Sequence, residues 1–250
     1  MKARDAVSTS ALRSTLGAID NAEAVAPEPD IVAPIAEGPI AGAVRGLGAG
    51  ELPRRMLTDA DIAAIVQAEI EERIAEAETY GELGRTDEAD RLRVEADVLR
   101  RELTIYDAAG GIDGLTRLAH AWHERVLADE VVSHAFSHGF RDDHTERLAA
   151  YWAEALGGPA AFTEFCGNET AVVRIHSGNG LHEEMDRRAI ACFDLALEDA
   201  DLASDERLRQ ALHDYFSWAT TTTMARYHQS ADDVPDNLTI PQWSWDGLVT

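Results

Sequence analysis

The sequence predicts an all-α protein, a small helical bundle followed by a second helical domain, and three observations carry that prediction. Apolar residues recur at helical spacing in both halves of the chain. A stretch rich in Ala, Pro and Gly from Ala26 to Pro53 interrupts the pattern once, early. All nine histidines fall between His120 and His228, so the two halves differ in chemistry as well as in position. The expected division is residues 1–104 and residues 105–250, with an extended tail from about residue 226.

In the first module, Leu12, Leu16 and Ile19 share one face of an opening helix. Residues 26–53 read as a long mobile loop with neither helical nor strand period. Thr58 followed by Asp61 is an N-cap with an acidic first turn, and Ile62, Ile65, Val66, Ile70 and Ile74 continue the stripe. Gly81 and Gly84 end that helix. Thr86 caps the next, in which Leu92, Val94, Val98 and Leu99 are apolar among charges up to Leu103. No carboxylate pair, nucleophile or phosphate loop stands out, so this half is expected to serve interaction or dimerisation.

The second module opens with Ile105 to Gly111 and a stripe of Leu115, Leu118, Ala119, Trp122 and Val126. Asp129 to Phe136 forms a short turn, and Asp142 or Asp143 caps a helix that buries Leu148, Tyr151, Trp152 and Leu156. Gly157, Gly158 and Pro159 stop it, because proline cannot continue a helix. Two more helices are read at Ala189–Leu197 and Leu208–Met224. The tail carries Pro235, Pro241, Trp243 and Trp245 and is expected to pack on its own domain.

A formal net charge of -24 repels phosphate backbones and anionic membranes, so nucleic acid is not an expected partner. Lys2 and Arg4 precede no apolar run, and nowhere are there about 18 consecutive apolar residues. A cytoplasmic protein with no membrane attachment is expected. Cys166 and Cys192 build no disulfide framework and are read as reduced, buried small hydrophobes.

The opening MKARD, the run ALRSTLGAIDNAE and the acidic-apolar pair of helices from Leu57 to Leu103 resemble the N-terminal helical half of the GatB/YqeY family. That resemblance implies kinship with the tail of an aminoacyl-tRNA amidotransferase subunit. The smaller C-terminal part of the family is absent, and so is a basic tRNA-facing surface.

Four motifs of the second half resemble the truncated (two-over-two) haemoglobins, most closely group II: YDAAGGIDGLTRL, ADEVVSHAF, HTERLAAYWAEALGGPAAFTE and VVRIH. The likeness runs from Tyr106 to about Met224. It implies a haem cofactor with iron held by His176 as proximal ligand. Phe136 matches the aromatic packed on the porphyrin, Arg147 a position that commonly pairs with a haem propionate, and Leu148 a residue facing the bound ligand. Trp122, Trp152 and Phe162 complete the expected cleft. His123 stands where a tyrosine is usual, His144 where a small residue is frequent, and Ala189 where a tryptophan is usual. The distal histidines leave two outcomes open, a hydrogen bond to a bound diatomic gas or direct ligation of iron.

The function implied is a haem protein for dioxygen or a related diatomic ligand, with redox, peroxide or nitric oxide chemistry and its status as an enzyme left open. A reductase and a second copy of the chain are the further candidate partners. Two alternatives stand beside it. One is a non-haem metal hydrolase using His120, His123 and Glu124 with a His213–Asp214 pair. The other is a tRNA-linked accessory protein acting through the first module.

Overall fold

The structure is a computed structural model that describes residues 2–24 and 54–249, with side chains from residue 6 onward. The loop expected over residues 26–53 lies outside the described residues. Ten α-helices and one two-stranded hairpin make up most of what is described, in two compact units, residues 1–100 and 101–250. The all-α class is as expected. No helix among the described residues is long and apolar enough to cross a membrane.

The first unit packs α1 (Lys2–Glu23), α2 (Asp59–Glu82) and α3 (Thr86–Arg100) against one another. Thr58 caps α2 as expected: its hydroxyl accepts from the Asp61 amide, and the Asp61 carboxylate accepts from the Thr58 amide. Gly84, at φ 72°, is in the left-handed region that ends α2, whereas Gly81 still lies within its last turn. Thr86 is the first residue of α3 and not the cap before it.

The face of α1 differs from the expected one. Ala11 and Thr15 are buried, while Leu12 and Leu16 are exposed. Small residues let helices approach closely, and the close approach is used: the buried Arg73 of α2 donates to Ser14 Oγ at 2.6 Å and to Glu69 Oε2 at 2.8 Å, with Glu95 Oε2 3.5 Å away. A buried guanidinium must be paired, and the helix face that supplies its partners wins over the one with larger side chains. In α3 the buried residues are Ala89, Glu95, Ala96 and Leu99, and Val94 faces out.

In the second unit, Thr104 and Asp107 form a reciprocal cap that starts the short α4 (Ile105–Ala108). α5 (Gly111–Ala128) lies between α6 (His144–Ala155) and α9 (Glu183–Asp199), and α10 (Glu206–Trp218) packs on α9. The centre is aromatic. Phe193 stacks on Phe216 at 4.1 Å, and Trp152 meets both edge-on. α9 begins six residues before the expected start at Ala189, and α10 ends at Trp218, after which Ala219–Met224 widens into a π-helical turn.

Two glycines close α6. Gly157 sits at φ 95°, and a Cβ on Gly158 would lie 2.7 Å from the Tyr106 ring and 2.8 Å from the Ala153 carbonyl. The turn can therefore press against α4, where the Tyr106 amide donates to the Leu156 carbonyl. Asp143 occupies the cap position of α6, but its carboxylate is engaged by Arg141 and makes no cap bond.

Beyond Met224 the tail passes a 3-10 turn at Ala231–Asp233 and ends in the hairpin β1 (Trp243–Ser244) and β2 (Gly247–Leu248). It packs on its own unit, as expected. Trp243 lies against Tyr215 and Trp218, Ile240 is buried, and the Trp245 indole donates to the Leu103 carbonyl at 2.7 Å with Arg207 stacked 4.2 Å above the ring.

Candidate functional site

His176 owes its position to α8 (Glu169–Ile175), a helix of seven residues. Asn168 caps it by accepting from the Ala171 amide at 2.9 Å, and His176 follows as the C-cap. The His176 ring turns back along the helix, with Nδ1 2.8 Å from the Val172 carbonyl. A carbonyl can only accept, so Nδ1 carries the proton and Nε2 keeps its lone pair. The ring is exposed to solvent, yet enough of the chain surrounds it that burial lowers its pKa, against the opposing effects of the Val172 bond and Asp186.

Two further histidines stand near each other on α5 and α6. His123 is buried, and its ring lies 5.1 Å from that of His144, the first residue of α6. Burial is the main cause that lowers both pKa values. For His144 the charges of His123, His176 and Arg147 add to it, so His144 lies within electrostatic reach of His176. Thr145 Oγ1 is 3.4 Å from His123 Nδ1 and can donate or accept there, which leaves either tautomer of His123 open. The Nε2 atoms of His123 and His144 are both buried without a hydrogen-bond partner. Such an atom costs about 1–3 kcal/mol unless something else satisfies it, so two of them on adjacent rings mark a place built to receive a polar partner.

The other expected residues divide into groups. Phe136 joins the histidines, 5.2 Å from the His123 ring and 5.7 Å from the His144 ring. Trp122 packs edge-on to Phe136 and donates its indole N–H to the Ala189 carbonyl at 3.1 Å, which brings Trp122 and Ala189 into the same wall. Arg147 and Phe162 pair with each other, the guanidinium 5.7 Å above the ring while Nη2 donates to the Cys166 carbonyl at 2.7 Å. Leu148 packs on the central core, half-buried. Cys192 is buried and Cys166 only half-buried; both are free thiols.

Some partners in this region carried no legible signal. Phe140, 4.5 Å from the His123 ring, follows the left-handed Gly139 in a stretch without period. Asp129 caps the 3-10 turn Val132–Phe136 through the Val131 and Val132 amides and holds Arg188 of α9, which lowers its pKa to about 2 with the Arg188 bonds as the main cause. Tyr151 of α6 donates to the buried Glu169 of α8 at 2.8 Å, joining the helices that carry His144 and His176.

The non-haem metal set is not assembled. His213 pairs with Asp194 at 2.6 Å and not with Asp214, whose carboxylate accepts from Gln210. Among the described residues no three His, Cys, Asp or Glu side chains are grouped to hold a metal ion.

Residues 104–221 match the family described as bacterial-like globin. Among solved structures, the chain is similar to a thermostable haemoglobin from the actinobacterium Thermobifida fusca, at 28% identity and TM-score 0.42 over 49% of this chain and 97% of that one. A triple mutant of ASV-TfTrHb is 27% identical at TM-score 0.42, over 55% of this chain and 98% of that one. No curated protein matches. The family match spans His123, His144 and His176.

Proposed function

We propose that the second unit binds haem and, through it, a diatomic ligand. The observation that carries this reading is the fixed tautomer of His176: its Nδ1 proton is held by the Val172 carbonyl, which leaves Nε2 free to bind a metal, while His144, within electrostatic reach, and its neighbour His123 each hold an unpartnered buried Nε2. Such a backbone bond is what orients a metal-ligating imidazole and raises its basicity. The donor set fits a haem group. When bound, haem iron supplies reversible ligand binding and one-electron chemistry.

The remaining roles fall to this chain's side chains. His176 would hold the iron through Nε2. His123 and His144, both biased to the neutral form by burial, would each offer an N–H or a lone pair across the cleft. Phe136, Trp122, Phe162 and Leu148 exclude water with apolar surface, and Ala189 leaves room for the Trp122 indole. Arg147 supplies a positive charge for a propionate while its Nη2 stays on the Cys166 carbonyl. A reductase, and a second copy of the chain, are the protein partners this role would use. For the first unit, kinship with the GatB/YqeY helical half is a proposal of an interaction module. Binding of the full chain to tRNA in a gel-shift assay would test its RNA version.

The test is the ultraviolet-visible spectrum of protein expressed with haem supplementation, ferric and ferrous, for the wild type and His176→Ala. A strong Soret band in the wild type that is lost or badly weakened in the variant is expected. Absence of the band in the wild type, or an unchanged band in the variant, overturns the assignment.

A further inference from the structure

The helix that presents His176 is too short to hold itself. Seven residues form two turns, well below the length at which an isolated helix is stable in water. The 3-10 turn Ala231–Asp233 of the tail packs against it, and the bonds between the two regions bracket His176 on both sides. Before it, the buried Thr170 hydroxyl donates to the Pro235 carbonyl at 2.9 Å and accepts from the Leu238 amide at 3.1 Å. Arg174 Nη2 donates to Asp236 Oδ1 at 2.7 Å and to the Val234 carbonyl at 3.3 Å. After it, the Gly178 amide donates to the Tyr227 carbonyl at 3.0 Å and the Gly180 amide to the His228 carbonyl at 2.9 Å. All these tail partners lie beyond residue 221, where the globin match ends.

The far end of the same segment is anchored. Val234 and Ile240 are buried, and the Trp245 indole is tied to the Leu103 carbonyl. Fixed at both ends and bonded to α8 in between, it has the form of a strap.

We infer that residues 227–238 are a strap that positions His176, setting how firmly its imidazole is presented to a haem iron. The inference rests on the haem reading above. Thr170 and Arg174 act through His176 and are positioning residues.

The experiment uses the full chain and three variants. Thr170→Val keeps volume but removes both hydroxyl bonds, Thr170→Ser restores them, and Arg174→Gln removes the exposed ion pair, whose loss costs the fold little. Amide hydrogen exchange on the protein without haem reads the strap directly. Gly178 and Gly180 should exchange about tenfold faster in Thr170→Val, about two- to threefold faster in Arg174→Gln, and as in the wild type in Thr170→Ser. In haem-loaded protein, Thr170→Val should shift the ferrous iron–histidine stretching band and release haem to an apoglobin scavenger about tenfold faster, again rescued by serine. Unchanged exchange at Gly178 and Gly180 in both Thr170→Val and Arg174→Gln overturns the strap. Faster exchange with an unmoved band and unchanged haem release overturns its action on His176. A wild type that takes up no haem sinks the haem reading, and with it the role toward iron, while the exchange data still decide the strap. If Thr170→Val does not fold, Arg174→Gln decides by the same two readouts.

Discussion

His123 and His144 show how much one ring's protonation state can be worth to the whole chain. Burial lowers both pKa values, so the fold prefers the neutral rings while the unfolded chain takes up protons near the ordinary 6.5. The contribution of these rings is fully present above about pH 6.5 and is lost as pH falls toward their lowered folded values. Thermal unfolding followed from pH 8 to 5 should show that decline, and His144→Leu should flatten it. The nearby buried carboxyl of Glu169 has the opposite sense. Burial raises its pKa against the lowering effect of the Tyr151 bond, so its contribution is greatest at acid pH and declines as pH rises through the raised value. Tyr151→Phe removes the partner of a buried carboxyl whose other oxygen already has none, and should cost about 1–3 kcal/mol in denaturant unfolding. His144 and His176 could be singled out because each stands in an ordered motif, and His123 because it falls between two of them. Phe140, Glu169 and Thr170 were not, because burial and long-range partners leave no local trace.

Among the helices, legibility followed the strength of local signals. The Thr58 cap writes its own spacing, and Gly157-Gly158-Pro159 ends α6 where the sequence expects an end. The face of α1 was misread because periodicity counts apolar residues and ignores what they must approach. Ala11 and Thr15 lie on the packed face, and Ser14 beside them gives the Arg73 guanidinium a near hydroxyl. The π-helical turn after α10 was invisible for a related reason, since its threonine run has no spacing of its own. The close contact at the end of α6 yields a prediction. Gly158→Ala would place a methyl 2.7 Å from the Tyr106 ring, and should destabilise the second unit by about 1–3 kcal/mol, read by denaturant unfolding of the variant.

Across the whole chain the acids outnumber the bases by 46 to 22, so arginine and lysine cannot neutralise them all. Many of the ion pairs seen are between residues three or four apart on exposed helix faces, as in Arg85–Glu88 and Arg209–Glu206, and such pairs contribute little. Self-repulsion therefore outweighs them. Raising sodium chloride from about 10 to about 300 mM should raise the unfolding temperature, because the Debye length shrinks below the spacing of the unpaired carboxylates. An unfolding temperature that falls with salt would show instead that the pairs dominate.

The contacts between α8 and the tail also bear on the order in which the molecule is made. Thr170 and Arg174 find partners 60 to 68 residues later in the chain. At about 5–20 residues per second, those partners are synthesised some 3–14 s after the helix they secure. Helices α5 and α6 can dock as they emerge, but α8 is secured only when residues 234–238 arrive. For those seconds the nascent chain carries His176 on a helix whose fastenings have yet to be made.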